Sequence, residues 1–127
     1  MTPRILIADD EPALLKVMTQ YLLRLDYSVD ACSTGVEAWQ RFEAASGGYA
    51  LFVADATLQD STGVALLERM FAVNPAISFL ICSGYPYDLE VLPPVIRERT
   101  RFLQKPFTPT MLAETVSELV AGPRQNP

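Results

Sequence analysis

Five short apolar runs, each followed by a segment of helical spacing, limit what this chain can fold into. The runs are RILIA (4–8), SVDAC (28–32), ALFVA (50–54), ISFLIC (77–82) and TRFLQ (100–104). They are rich in β-branched or aromatic residues and have the length of strands. Between them, apolar residues return every three or four positions. Leu14, Met18, Leu22 and Leu25 mark a first helix, with Pro12 near its start. Val36, Trp39, Phe42 and Glu43 fall in a second, which SGG at 46–48 ends. Val64, Leu67, Met70 and Phe71 mark a third, closed by the NP pair at 74–75. The last has Thr108 as N-cap, Pro109 at the first helical position, and Leu112, Val116, Leu119 and Val120 on one face. Segment 85–99 is different. Pro86 and the pair Pro93–Pro94 cannot sit inside one long helix, so a short helix around 87–92 and then an irregular stretch are expected.

Strand and helix alternating five times over read as an α/β domain, a doubly wound five-stranded parallel sheet covered on both faces. Strands buried on both sides explain why the runs are almost continuously apolar. In open sheets of this kind, ligands bind beyond the carboxyl ends of the strands, where the strand order reverses. With 127 residues, half of them apolar, the chain fits one domain over 1–121, and the Gly- and Pro-bearing end reads as a flexible tail, 122–127. A net charge of −5 disfavours direct nucleic-acid binding, which needs a basic face. No apolar stretch approaches the ~20 residues of a membrane span, and no signal-peptide pattern opens the chain, so a cytoplasmic, soluble protein is expected. Cys32 and Cys82 lie in strand-like runs and read as buried free thiols; without any His, a zinc site lacks its ligands.

The polar residues gather where the ligand rule places them. The first strand ends in Asp9, Asp10 and Glu11, the third in Asp55, the fourth in Ser83 and the fifth in Lys105–Pro106. In a parallel sheet these ends share one edge. Asp9, Asp10 and Asp55 would then lie within a few ångströms, which raises at least one pKa or demands a cation. Oxygen-only donors suit Mg²⁺. Lys105 offers a point charge for a phosphate oxygen and Ser83 a hydroxyl donor. Such a set performs phosphoryl transfer by positioning and charge neutralisation. Each residue also has a plainer reading: Asp9 or Asp10 as helix caps, Asp55 as a solvated loop residue, Ser83 as a turn, Lys105–Pro106 as a strand-to-helix junction. The alignment of four strand ends favours function. Trp39 and Tyr49 read as packing or surface, Asp60 as solvated, and Glu11 as solvated with a supporting place near the metal.

At this point the motifs ILIADDE (5–11), ADATLQDSTG (54–63), LICSG (80–84) and FLQKPF (102–107) resemble the response-regulator receiver domain of two-component signalling. The resemblance covers about residues 3–121 and implies the flavodoxin-like, CheY-like strand order 2-1-3-4-5, with an irregular fourth helix. It implies that Asp55 is the phosphoacceptor, taking a phosphoryl group from the phosphohistidine of a histidine kinase or histidine phosphotransfer protein. Mg²⁺ would be held by Asp10 directly, Asp9 mainly through water, Asp55, and the backbone carbonyl of Thr57. Lys105 and Ser83 would bind the phosphoryl group, with a cis bond before Pro106. Ser83 and Phe102 would form the switch. Glu11, Gly63, Gly84 and Pro106 are supporting positions, Gly63 by shaping the loop after Asp55. The output surface would be the fourth helix, fifth strand and fifth helix, and the downstream partner is open. SGY at 83–85 with FLQKPF looks closest to receivers of hybrid histidine kinases. The chain is read as a self-modifying phosphoacceptor and not a turnover enzyme.

Departures from the family pattern shape two further expectations. Leu58-Gln59 stands where a Met-Pro pair is common, and Thr57 and Tyr85 stand where other members carry residues that influence hydrolysis. Thr57 positions water weakly and Tyr85 shields the site, which implies slow self-dephosphorylation. A rival reading, an aspartate-nucleophile phosphatase, usually has a second Asp two residues after the first; position 57 is Thr, which disfavours it. A second rival, a pseudo-receiver that never becomes phosphorylated, is disfavoured by the complete acidic set.

Overall fold

The structure, a computed structural model, describes residues 2–58 and 64–121. Five strands, β1 (Arg4–Ala8), β2 (Ser28–Cys32), β3 (Leu51–Asp55), β4 (Ser78–Ser83) and β5 (Thr100–Gln104), form one parallel sheet. Its order is β2-β1-β3-β4-β5, as the resemblance implies. The helices are α1 (Pro12–Arg24), α2 (Gly35–Ala44), α3 (Val64–Val73), α4 (Pro94–Arg97) and α5 (Pro109–Ala121).

Strand side chains alternate between faces, so each strand feeds two cores. Ile5, Ile7, Leu51, Val53, Leu80 and Cys82 pack with Met18 and Leu22 of α1 and with Leu112, Val116 and Leu119 of α5. Leu6, Ala8, Phe52, Phe79 and Ile81 pack on the other face with Phe42 of α2, Leu67 and Met70 of α3, and Ile96 of α4. Both cysteines are buried and free, as expected from their runs.

The helix ends follow local chemistry. The hydroxyl of Thr34 caps α2 by accepting the Glu37 N–H at 3.0 Å, and Thr108 does the same for the Met111 N–H at 3.1 Å. Gly47, just past α2, has φ +75°, and a Cβ there would stand 2.9 Å from Cγ1 of Val73. Glycine is required at that point by conformation and by space alike. Asn74 then ties the return together, its side-chain amide donating to the carbonyls of Gly47 and Tyr49 at 2.8 and 3.0 Å.

Two differences from the sequence expectations bear on the site. β3 and β4 each begin and end one residue later than their apolar runs, so Asp55 and Ser83 are the last residues of their strands. The fourth connection also differs. A 3-10 turn at Leu89–Val91 lies where a short helix was expected, and α4 occupies part of the stretch expected to be irregular. The reason is Pro94, which sits in the first turn of α4, where a missing N–H costs nothing. Arg97 and Glu98 close that turn by donating to the carbonyls of Pro93 and Pro94 at 2.9 and 3.1 Å.

Candidate functional site

Four strand ends meet at one rim of the sheet. In register, Asp55 pairs with Cys82 and Ser83 with Gln104, while Ala8, just before Asp9, pairs with Ala54. The ladder therefore fixes the backbone beneath Asp9, Asp55 and Ser83, all three buried. Lys105 follows β5 directly; its N–H donates to the carbonyl of Ser83 at 2.8 Å, and the Lys105–Pro106 bond is cis.

The side chains converge on the ammonium of Lys105. Its Nζ lies 3.2 Å from Oδ2 of Asp9, 2.7 Å from Oε1 of Glu11 and 3.3 Å from Oδ2 of Asp55. Burial raises the Asp9 carboxyl above its ordinary value, against the pull of the Glu11 N–H and the Lys105 ammonium, and the neighbouring Asp55 adds to the rise. Burial would raise Asp55 too. There, hydrogen bonds from the N–H and the hydroxyl of Thr57, at 2.9 and 2.8 Å on Oδ1, combine with Lys105 to hold the carboxyl below its ordinary value. Lys105 is held charged: burial works against it, and Glu11, Asp9 and Asp55 outweigh burial. An open cavity of about 550 Å³ leads to this group, with Leu14, Tyr85, Pro106 and Phe107 among its walls.

The set is built from oxygen acceptors around one cation. Oxygens of Asp9, Glu11 and Asp55 all lie within 4.8 Å of one another. Oxygens about 2.0–2.1 Å from an octahedral magnesium stand within that range of each other, so the donor set fits a hard divalent cation. Asp55, buried at a strand end, and Lys105 both line the open cavity, with Ser83 buried at the neighbouring strand end.

A sequence profile of the response regulator receiver domain matches residues 5–117. The chain belongs to that family. This receiver is similar to the sensor kinase CckA of Brucella abortus (strain 2308), with 30% identity over 116 residues, 91% of this chain and 12% of that protein. It is also similar to the DNA-binding transcriptional regulator NtrC of Rhizobium meliloti (strain 1021), at 28% identity over 97% of this chain and 25% of that protein. The chain thus spans an eighth to a quarter of the length of these two curated relatives. Among solved structures, a receiver domain protein (CheY-like) from Methanospirillum hungatei JF-1 superimposes with TM-score 0.82 and 26% identity, covering 95% of each chain. The receiver domain of the hybrid histidine kinase CckA gives TM-score 0.77 at 26% identity, covering 92% of this chain and 98% of that one.

The receiver's expected residues do not all gather equally. Asp9, Asp55, Thr57 and Lys105 meet as described. Asp10, expected to stand with Asp9 and Asp55, is exposed and is not among the carboxylates within 4.8 Å of one another; Glu11, expected to be solvated with a supporting place near the metal, is exposed and belongs to that group. The cause is a turn. Oδ1 of Asp9 accepts the Glu11 N–H at 2.8 Å, which folds the chain back after β1 and carries the Glu11 side chain over Lys105. The hydroxyl oxygen of Ser83 accepts the Tyr85 N–H at 3.0 Å. Phe102 is half-buried and stacks on Tyr87, ring centroids 6.3 Å apart. Tyr85, expected to shield the site, lines the cavity with 74% of its surface exposed. Gly84 is exposed beside it, and Leu58 keeps its apolar contact in the core. Gln59, Asp60, Gly63 and the tail 122–127 lie outside the described residues. Among the described residues no helix is long and apolar enough to cross a membrane. Sequence reasoning set Tyr49 and Trp39 aside as packing or surface; each also lies under a guanidinium, Arg4 at 4.7 Å and Arg69 at 4.0 Å from the ring centroids.

Proposed function

We propose that this receiver is switched by transfer of a phosphoryl group from a phosphohistidine, on a histidine kinase or a histidine phosphotransfer protein, to Asp55. The observation that carries the reading is the carboxylate of Asp55: buried at a strand end, kept ionised by Thr57 and Lys105, and open to a cavity. One oxygen of Asp55 forms the new O–P bond as the N–P bond breaks. The N–P pair returns to the imidazole, which leaves as the neutral ring when its other nitrogen carries a proton. Lys105 neutralises charge on the transferred oxygens, and Ser83 donates to one of them.

Asp9, Asp10, Asp55 and the Thr57 carbonyl are the proposed holders of Mg²⁺, with Glu11 as a further oxygen at the same group. Magnesium, when bound, offsets the repulsion between carboxylates and the charge on the transferred group. Thr57 is not a general acid for turnover, because its hydroxyl hydrogen is committed to Asp55. The same commitment leaves only the acceptor lone pairs of the hydroxyl for a hydrolytic water, so Thr57 orients one weakly, in line with slow self-dephosphorylation. The new dianion draws Ser83 and Lys105 towards it and biases the surface of α4, β5 and α5, where a downstream partner docks.

The test is phosphotransfer from a phosphorylated histidine domain carrying a labelled phosphate. Label should move to the wild-type chain when magnesium is present and stay on the donor when a chelator removes it. Transfer that ignores the chelator contradicts the metal assignment.

A further inference from the structure

We propose that Glu11 is a latch on Lys105, holding the ammonium inside the acidic group until a phosphoryl group arrives. The inference rests on the reading of Asp55 as phosphoacceptor and adds a positioning residue to it. An ammonium has three donors. In this protein Asp9, Glu11 and Asp55 take one each, at 3.2, 2.7 and 3.3 Å. A phosphoryl oxygen can therefore reach Lys105 only if one carboxylate gives way.

The three differ in how firmly they are held. Asp9 is buried, and its other oxygen accepts the Glu11 N–H at 2.8 Å. Asp55 is buried, and its other oxygen accepts two hydrogen bonds from Thr57. Glu11 makes the shortest contact to Lys105, yet 59% of its side-chain surface is exposed and Lys105 is its one ion-pair partner among the described residues. Its backbone stays fixed by the Asp9 turn while its side chain is free to swing into water. An exposed ion pair is worth little once water replaces it. Glu11 is thus the partner that exchanges, and the lysine passes from it to the phosphoryl group while Asp9 keeps its contact.

The chain has two lysines, Lys16 and Lys105, so lysine ε-carbon labelling gives two NMR signals. The experiment compares wild type, Glu11→Gln and Glu11→Ala, each alone and with beryllofluoride and magnesium as a phosphoryl mimic. Phosphorylation by acetyl phosphate at saturating magnesium is timed in parallel. If Glu11 is a latch, both variants shift the free-state Lys105 signal towards its wild-type position in the mimic complex. The phosphorylation rate then rises about two- to fivefold. A Lys105 signal that neither variant moves, or a rate that is unchanged or lower, overturns the latch. Wild type that takes up no phosphoryl group overturns the phosphoacceptor reading itself, which separates the two failures.

Discussion

Asp55 commits both its oxygens to its own protein, Oδ1 to Thr57 and Oδ2 to Lys105. Its folded-state pKa is held below the unfolded value. It therefore stabilises the fold above the unfolded value of about 3.9 and loses that contribution as pH falls through the folded value. Replacing Thr57 by Val removes the hydroxyl donor and keeps the N–H. The Asp55 carboxyl should then titrate higher, with stability at neutral pH down by about 1 kcal/mol; Thr57→Ser should leave both near wild type. Carboxyl-carbon NMR titration and chemical denaturation check this, and a Val variant that titrates like wild type contradicts it. Asp9, Asp55, Ser83 and Lys105 were legible in the sequence because each closes or follows a short apolar run. That Glu11 joins Asp9 and Asp55 in the close carboxylate group was not. The strand alternation stops at Asp9, and the side-chain turn that decides the matter leaves no periodic signal.

At the scale of elements, the legible parts were those with a clear period. Strand runs located all five strands, and two missed their ends by one residue because Asp55 and Ser83 belong to the ladder despite being polar. The fourth connection was harder. Proline was weighed there as a breaker, while Pro94 starts a turn just as Pro12 and Pro109 start theirs. Segment 85–99 holds little more than a 3-10 turn and a single helical turn, so its amides should exchange faster than those of β4. Tyr87 reaches back from this segment to stack on Phe102. Phosphorylation should change exchange across 85–99 in wild type and change it much less in Phe102→Ala, with Asp55 still modified in both. Equal changes in the two proteins contradict a switch role for Phe102.

Across the whole molecule, buried titratable groups set an alkaline limit. Burial pushes the thiols of Cys32 and Cys82 up to about 11 and about 12. Burial, helped by the hydrogen bond of 2.6 Å to Asp30, pushes the Tyr49 hydroxyl up to about 12. For each, the folded pKa exceeds the unfolded one, near ~8.5 for Cys and ~10 for Tyr. Their contribution is complete below the unfolded value and is lost as pH rises through the folded value. Denaturation midpoints should fall steadily as pH climbs from 8 towards 11; a flat profile contradicts these burials.

The central claim is that acids and a lysine from separate strands make one phosphoryl-accepting centre on Asp55. Intact mass after treatment with acetyl phosphate and magnesium tests it most directly, on wild type beside Asp55→Asn. Wild type should gain the mass of one phosphoryl group, while the Asn variant, folded alike by circular dichroism, should gain none. Equal gain in both proteins, or none in wild type, would contradict the account.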